Sequence, residues 1–174
     1  RIVYDFDDAV MYKDSFSSST YSRTRQRQFA NMVRQSDHVI AGNSFLMDQA
    51  LKYNENVTLI PTSLDVRSIE VKKFRTNQDK VTIGWIGSRS TIRYLQMFRD
   101  VWEEIGKKYS SSVELKIICD TFFECNHIQV RKVLWSKDNE DTEQKSIDIG
   151  VMPLTDDPWS KGKCGFKILQ YFGS

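Results

Sequence analysis

Short runs of β-branched and aromatic residues alternate along this chain with segments of helical period, and that alternation confines it to layered α/β structure built on parallel strands. Ile2 to Phe6 reads as a strand, and a polar loop from Lys13 to Tyr21 follows. Arg23 to Gln35 has the period of a helix with Phe29, Met32 and Val33 inward. His38 to Ala41 and Val57 to Ile60 are further strands, and Asn43 or Ser44 is placed to cap the helix carrying Leu46, Ala50 and Leu51 between them. The charged stretch Val66 to Lys80 holds no period and reads as a linker. A second unit opens on the buried run from Val81 to Gly87. Ser90 is placed to cap one long helix with Ile92, Leu95, Phe98, Trp102 and Ile105 on its apolar side. Strands at Val113 to Cys119, Val130 to Trp135 and Ile147 to Met152 follow, with a short helix at Glu140 to Lys145. The expected domains are therefore 1–65, a linker 66–80, and 81–174.

Composition narrows the class of function. With 40% hydrophobic and 28% charged residues among 174, the chain has enough apolar side chains for packed cores, which excludes disorder and collagen. A net charge of +2 is too small to imply a nucleic-acid partner. No stretch approaches the roughly 20 apolar residues of a spanning helix. Three cysteines, Cys119, Cys125 and Cys164, cannot all pair and lack zinc spacing, which points to a reducing compartment. Arg1 opens directly into a strand pattern and the last helix stops soon after it begins, so the expectation is a piece of a longer protein.

Two strand-to-helix loops carry the strongest chemical signal. Gly87-Ser88-Arg89-Ser90 precedes one helix, and Lys161-Gly162-Lys163-Cys164-Gly165 precedes another that begins near Phe166. Glycines admit a close ligand, helix-initial N–H groups lack intrahelical partners, and Arg89, Arg93, Lys161, Lys163 and Lys167 add positive charge. Together these suit a diphosphate at the carboxyl edge of a parallel sheet. Tight turns with solvated basic side chains are the alternative. Trp135, at a strand end, is a candidate to flank a nucleobase or a packing residue. His38 and His127 have no histidine or cysteine at metal spacing apart from Cys125, and read as structural. Asp5-Phe6-Asp7-Asp8 is similar to the strand-end DxD of haloacid-dehalogenase phosphatases, with Asp156-Asp157 as a second acidic pair. Ala9 stands where that motif has threonine, and a hydrogen-bonded loop or cap is the competing reading.

Four segments in order, VYDFDDAV, SDHVIAGNSFL, IGWIGSRSTIRYL and DIGVMPLTDDPWSKGKCGFKILQY, resemble the retaining glycosyltransferases of family 4, the group 1 glycosyltransferases. In particular they resemble a bacterial branch marked by GWIGS and GKCGFKxLQY. The resemblance implies an α/β fold with Rossmann-like parallel sheets, part of a two-domain GT-B architecture. It implies that Gly87, Ser88, Arg89, Arg93, Lys163 and Lys167 meet the donor diphosphate, and that Trp135, Ser136 and Gln170 meet the nucleoside. It further implies that Gly162, Cys164, Gly165 and Phe166 form the loop on the sugar side. The wider family's E-x7-E motif falls on Gly162 and Gln170, so both of its glutamates are absent, although Gln170 keeps an amide that can bond ribose hydroxyls.

The implied activity is transfer of a sugar, with retention, from a nucleotide-diphosphate donor to a glycan or lipid-linked acceptor in polysaccharide or cell-surface glycan synthesis. No nucleophile is assigned, and neither a metal nor a cofactor is expected. The isolated chain is expected to be inactive, with the complete protein cytoplasmic at the inner face of a membrane and touching it peripherally. A phosphatase using Asp5 and Asp7, or a non-catalytic α/β interaction module, are the other classes considered.

Overall fold

The computed structural model describes residues 1–65, 67 and 80–173. Of the expected linker, residue 66 and residues 68–79 lie outside the described residues. The chain forms two compact units, residues 1–63 with 154–166, and residues 64–153 with 167–174.

The first unit is a three-stranded parallel sheet in the order β1 (Val3–Phe6), β2 (His38–Ala41), β3 (Val57–Leu59). Helices α1 (Arg23–Gln35) and α2 (Ser44–Leu51) make the crossovers. Ser22 caps α1 by accepting from the Arg25 N–H, and Phe29, Ala30 and Val33 are its buried residues. Met32, expected inward, is 48% exposed, because the buried stripe runs through Ala30 instead. Tyr4 stacks on Phe6 with centroids 5.2 Å apart, and Phe29 meets Phe6 edge-on at the same distance, joining sheet to helix. Asn54 donates to the Val33 and Ser36 carbonyls at 2.9 and 2.8 Å, satisfying groups that the end of α1 leaves open.

The second unit is a four-stranded parallel sheet, β4 (Val81–Ile86), β5 (Val113–Cys119), β6 (Gln129–Leu134) and β7 (Ile149–Gly150), in the order β6-β5-β4-β7. β5 is buried along its whole length. The single long helix expected after β4 is two helices, α3 (Ile92–Gln96) and α4 (Arg99–Tyr109). The break has a specific cause: the Trp102 indole N–H donates to the Leu95 carbonyl at 2.9 Å, occupying an acceptor that a continuous helix would offer to Arg99. Ser90 does not cap α3. Thr91 stands at that position without a side-chain cap bond to the helix, and its hydroxyl accepts from the Ser88 N–H at 3.0 Å.

A helix α5 (Glu140–Lys145) crosses from β6 to β7. β7 is shorter than the predicted strand and less buried, because it lies at the sheet edge; Ile149 is 51% exposed, although backbone bonds from Asp148 and Val151 to β4 extend the pairing. Residues 154–166 pack with the first unit and hold a helical turn missing from the sequence expectation, α6 (Pro158–Lys161), capped by Asp157. The last helix is α7 (Phe166–Gly173), preceded by Gly165 at φ 72°.

Tyr171 of α7 ties that helix to the second sheet. Its hydroxyl accepts from the Ile86 N–H at 3.1 Å and donates to the Val151 carbonyl at 3.3 Å, while the ring lies on Gly150. Burial pushes the phenol up to about 12, against a small opposing effect of the Ile86 bond. A raised folded value means the unfolded chain loses this proton first, so the contribution is complete below pH ~10 and disappears as pH rises from there to about 12. Denaturant melts across pH 9 to 12 should lose about 2–3 kcal/mol more stability in the parent chain than in Tyr171→Phe. Parallel pH profiles for the two proteins would contradict this placement.

Candidate functional site

The carboxyl ends of β4, β5 and β6 gather most of the expected donor-site residues, as a parallel sheet with crossover helices requires. At the end of β4, the Gly87 N–H bonds the Ile118 carbonyl at 3.0 Å, and the turn then runs outward with Ser88, Arg89 and Ser90 exposed. Ser88 and Ser90 join hydroxyl to hydroxyl at 2.9 Å. Arg89 reaches across to the end of β5, where its Nε donates to Thr121 Oγ1 at 3.2 Å and stands 3.7 Å from Asp120. The Cys119 thiol, donating at 3.3 Å, and then the Arg89 charge hold the Asp120 carboxyl below the usual range. Burial in turn pushes the Cys119 thiol up. Arg93 stands exposed in the first turn of α3.

Past the end of β6 lies a compact polar cluster. The Trp135 side chain is half exposed, and its indole N–H donates to Glu140 Oε2 at 3.2 Å. Gln170 Nε2, from the second turn of α7, donates to Glu140 Oε1 at 3.0 Å. Ser136 and Asn139 exchange bonds of 3.0 and 3.3 Å, and the Glu140 N–H bonds the Ser136 carbonyl at 3.1 Å, fixing the turn that presents the carboxylate. The three expected nucleoside residues are thus brought to one place, and Glu140 is what links two of them. Sequence reasoning missed Glu140, because within EDTEQK it looks like the first of several solvated charges.

The remaining expected residues divide between the units. Lys167 belongs with the second, whereas Gly162, Lys163, Cys164, Gly165 and Phe166 belong with the first. There Lys163 pairs with Asp8 at 2.9 Å and lies 4.6 Å over the Trp159 ring. The Cys164 thiol donates to the Asp7 carbonyl at 3.1 Å; burial, and then the Asp7 and Asp8 charges, push it up. Asn43 caps α2 at Leu46 and also donates to the Lys161 and Lys163 carbonyls, at 3.2 and 3.3 Å, holding the loop onto the first unit. Gly162 fits against Ala9 so closely that an added Cβ would lie 2.7 Å from the Ala9 nitrogen.

The first sheet has its own carboxyl-edge cleft, about 410 Å³ in volume, lined by Asp5, Asp7, Gly42, Thr62 and Ser63 among others. The acidic pairs do not form the arrangement a magnesium phosphatase needs. Asp157 caps α6 by accepting from the Ser160 N–H at 2.9 Å and also accepts from Thr155, while Asp156 pairs with Lys161 at 3.2 Å. Among the described residues, no group of three or more histidine, cysteine or acidic side chains is placed to hold a metal ion. No helix among them is long and apolar enough to cross a membrane.

No family model matches the sequence, and no curated protein matches it. The fold, by contrast, is similar to solved structures of TarM. A variant of S. aureus TarM, crystallised with Fondaparinux, alpha-GlcNAc-glycerol and UDP, gives a TM-score of 0.59 at 11% identity over 85% of this chain and 31% of that one. A second TarM structure gives 0.56 at 11% identity, over 98% of this chain and 45% of that one. The chain therefore spans less than half the length of either structure. TarM is a glycosyltransferase of the GT-B class. The chain has the α/β fold of that class, with parallel, Rossmann-like sheets.

Proposed function

We propose that the chain is part of a glycosyltransferase that binds a nucleotide-diphosphate sugar at the carboxyl edge of its second sheet and transfers the sugar, with retention, to a glycan or lipid-linked acceptor. The observation that carries this reading is the cluster of Trp135, Ser136 and Gln170 around the turn after β6, on the same sheet edge as the Gly87-Ser88 turn. A half-exposed indole can stack on a base beside polar groups that can bond a ribose. The likeness of the fold to a UDP-bound TarM structure supports a nucleotide donor. The motif resemblance adds the retaining family 4 assignment and a role in bacterial surface glycan synthesis at the cytoplasmic face of a membrane.

Charge builds on the diphosphate as the sugar–phosphate bond breaks. Arg93 and Lys167 are the side chains proposed to stabilise it, with the Gly87-Ser88 turn holding the same group and no metal required. Arg89 shares in this by moving from Asp120 to phosphate. The acceptor and the rest of the cleft belong to other parts of the complete protein, so the chain by itself binds donor without transferring sugar. The division 1–65, 66–80 and 81–174 is the domain scheme of this proposal. A non-catalytic module is disfavoured by the exposure of Ser88, Arg89 and Trp135 on the edge it would fill.

Calorimetry with nucleoside diphosphates tests the assignment. Arg93→Ala and Lys167→Ala should each weaken binding by about 1.5–3 kcal/mol, and Gln170→Ala by about 0.5–1.5 kcal/mol, the difference between charge-assisted and neutral bonds. Unchanged affinity in all three would move the nucleotide elsewhere.

A further inference from the structure

Glu140, the first residue of α5, stands within hydrogen-bond distance of both Gln170 and Trp135. Resting on the donor-site reading above, we propose that Glu140 of α5 supplies the acceptor that recognises the ribose 2′,3′-diol of the nucleotide, with Gln170 and Trp135 holding it in position.

Three observations carry this assignment. Both oxygens of Glu140 are fixed by neutral N–H donors, Gln170 Nε2 on Oε1 at 3.0 Å and Trp135 Nε1 on Oε2 at 3.2 Å. Neutral donors orient a carboxylate without cancelling its charge. An ionised carboxylate offers about four acceptor positions, so roughly two remain after these bonds, which matches the two adjacent hydroxyls of a ribose. Asp120, at the end of the neighbouring strand β5, is already engaged by the Cys119 thiol and by Arg89. Finally, the indole that helps fix Glu140 is half exposed, so a base stacked on it would bring its ribose beside the carboxylate. A glutamine at 170 is then the apt residue, since a second carboxylate there would repel Glu140 and could not donate to it.

The experiment compares a ribonucleotide with its 2′-deoxy analogue on the full chain. Of UDP, GDP and ADP, the one that binds the parent protein most tightly is titrated against its 2′-deoxy counterpart. The parent should prefer the ribonucleotide by about tenfold, the size expected when a charge-assisted bond is removed. Glu140→Gln, which keeps the side-chain length, should weaken the ribonucleotide and leave the deoxynucleotide nearly unchanged, reducing the preference to about twofold or less. The exchange variant Glu140→Gln/Gln170→Glu returns a carboxylate to the pair and should recover most of the preference. If Glu140→Gln weakens both ligands equally, Glu140 only braces Trp135 and Gln170, and the proposal is wrong. A parent without ribose preference, or a variant that keeps it, also overturns the proposal while leaving nucleotide binding intact. A parent that binds none of the three diphosphates removes the donor-site reading itself, and this assignment with it.

Discussion

Introducing a glutamate at position 162, by Gly162→Glu, lowers the stability of the first unit by about 3 kcal/mol or more. Any side chain at 162 begins with a Cβ 2.7 Å from the backbone nitrogen of Ala9, and closer still to the Ala9 Cβ. Backbone cannot swing aside as the end of a lysine can, so the loop carrying Lys163 and Cys164 must lift from the segment that follows β1. That movement also strains the Lys163–Asp8 pair, the Cys164 bond to Asp7 and the two Asn43 bonds to the loop. Urea denaturation of the parent, Gly162→Ala and Gly162→Glu should show most of the loss already in the alanine variant. A Gly162→Glu protein within about 1 kcal/mol of the parent would mean the loop has room to spare.

The second large effect concerns a buried lysine. Lys116, in the middle of β5, is fully buried; its ammonium donates to the Glu143 carbonyl at 2.7 Å and to Ser146 Oγ and pairs with the Glu143 carboxylate. Burial pushes the ammonium below its usual value, and the Glu143 bond and charge oppose that. Lys116→Met removes the positive charge and leaves the Glu143 carboxylate, 22% exposed, with Arg131 at 4.0 Å. The expected loss is about 3 kcal/mol, toward the lower end for breaking a buried pair because Glu143 keeps some water. Lys116→Met/Glu143→Gln should recover much of it, since the unpaired charge is then gone as well. A double variant no more stable than the single one would show that packing around Lys116, not the uncompensated charge, sets the cost. The consequence reaches the site, because this lysine holds α5, and Glu140 begins that helix.

Local signals were strong enough to read much of this architecture from the sequence. The apolar spacing of Phe29 and Val33, the cap at Asn43 and the β-branched and apolar residues Val113, Leu115, Ile117 and Ile118 of β5 each fix an element by short-range physics. Failures occurred where a distant group intervened. The Trp102 indole breaks the helix at Leu95 by a bond seven residues long, which periodicity cannot register. Ile149 has the apolar character of a central strand, but only topology puts β7 at an edge. Residues 154–166 read as a simple strand-to-helix loop, yet they pack with the first unit through Trp159, Cys164 and the fit of Gly162 on Ala9. At the site, Trp135 and Gln170 were legible as side chains able to stack and bond. Glu140 was not, since an acidic residue opening a charged helix has nothing in its sequence to distinguish it from a solvated one.

Nucleotide binding is the central claim, and calorimetric titration of the protein with UDP, GDP and ADP sugars, in the presence and absence of EDTA, addresses it most directly. The account predicts saturable binding of at least one of them, unchanged in chelator because arginine and lysine, not clustered carboxylates, meet the diphosphate, and weakened in Arg93→Ala. Absence of binding by all three, or binding lost in EDTA and restored by magnesium, would contradict it.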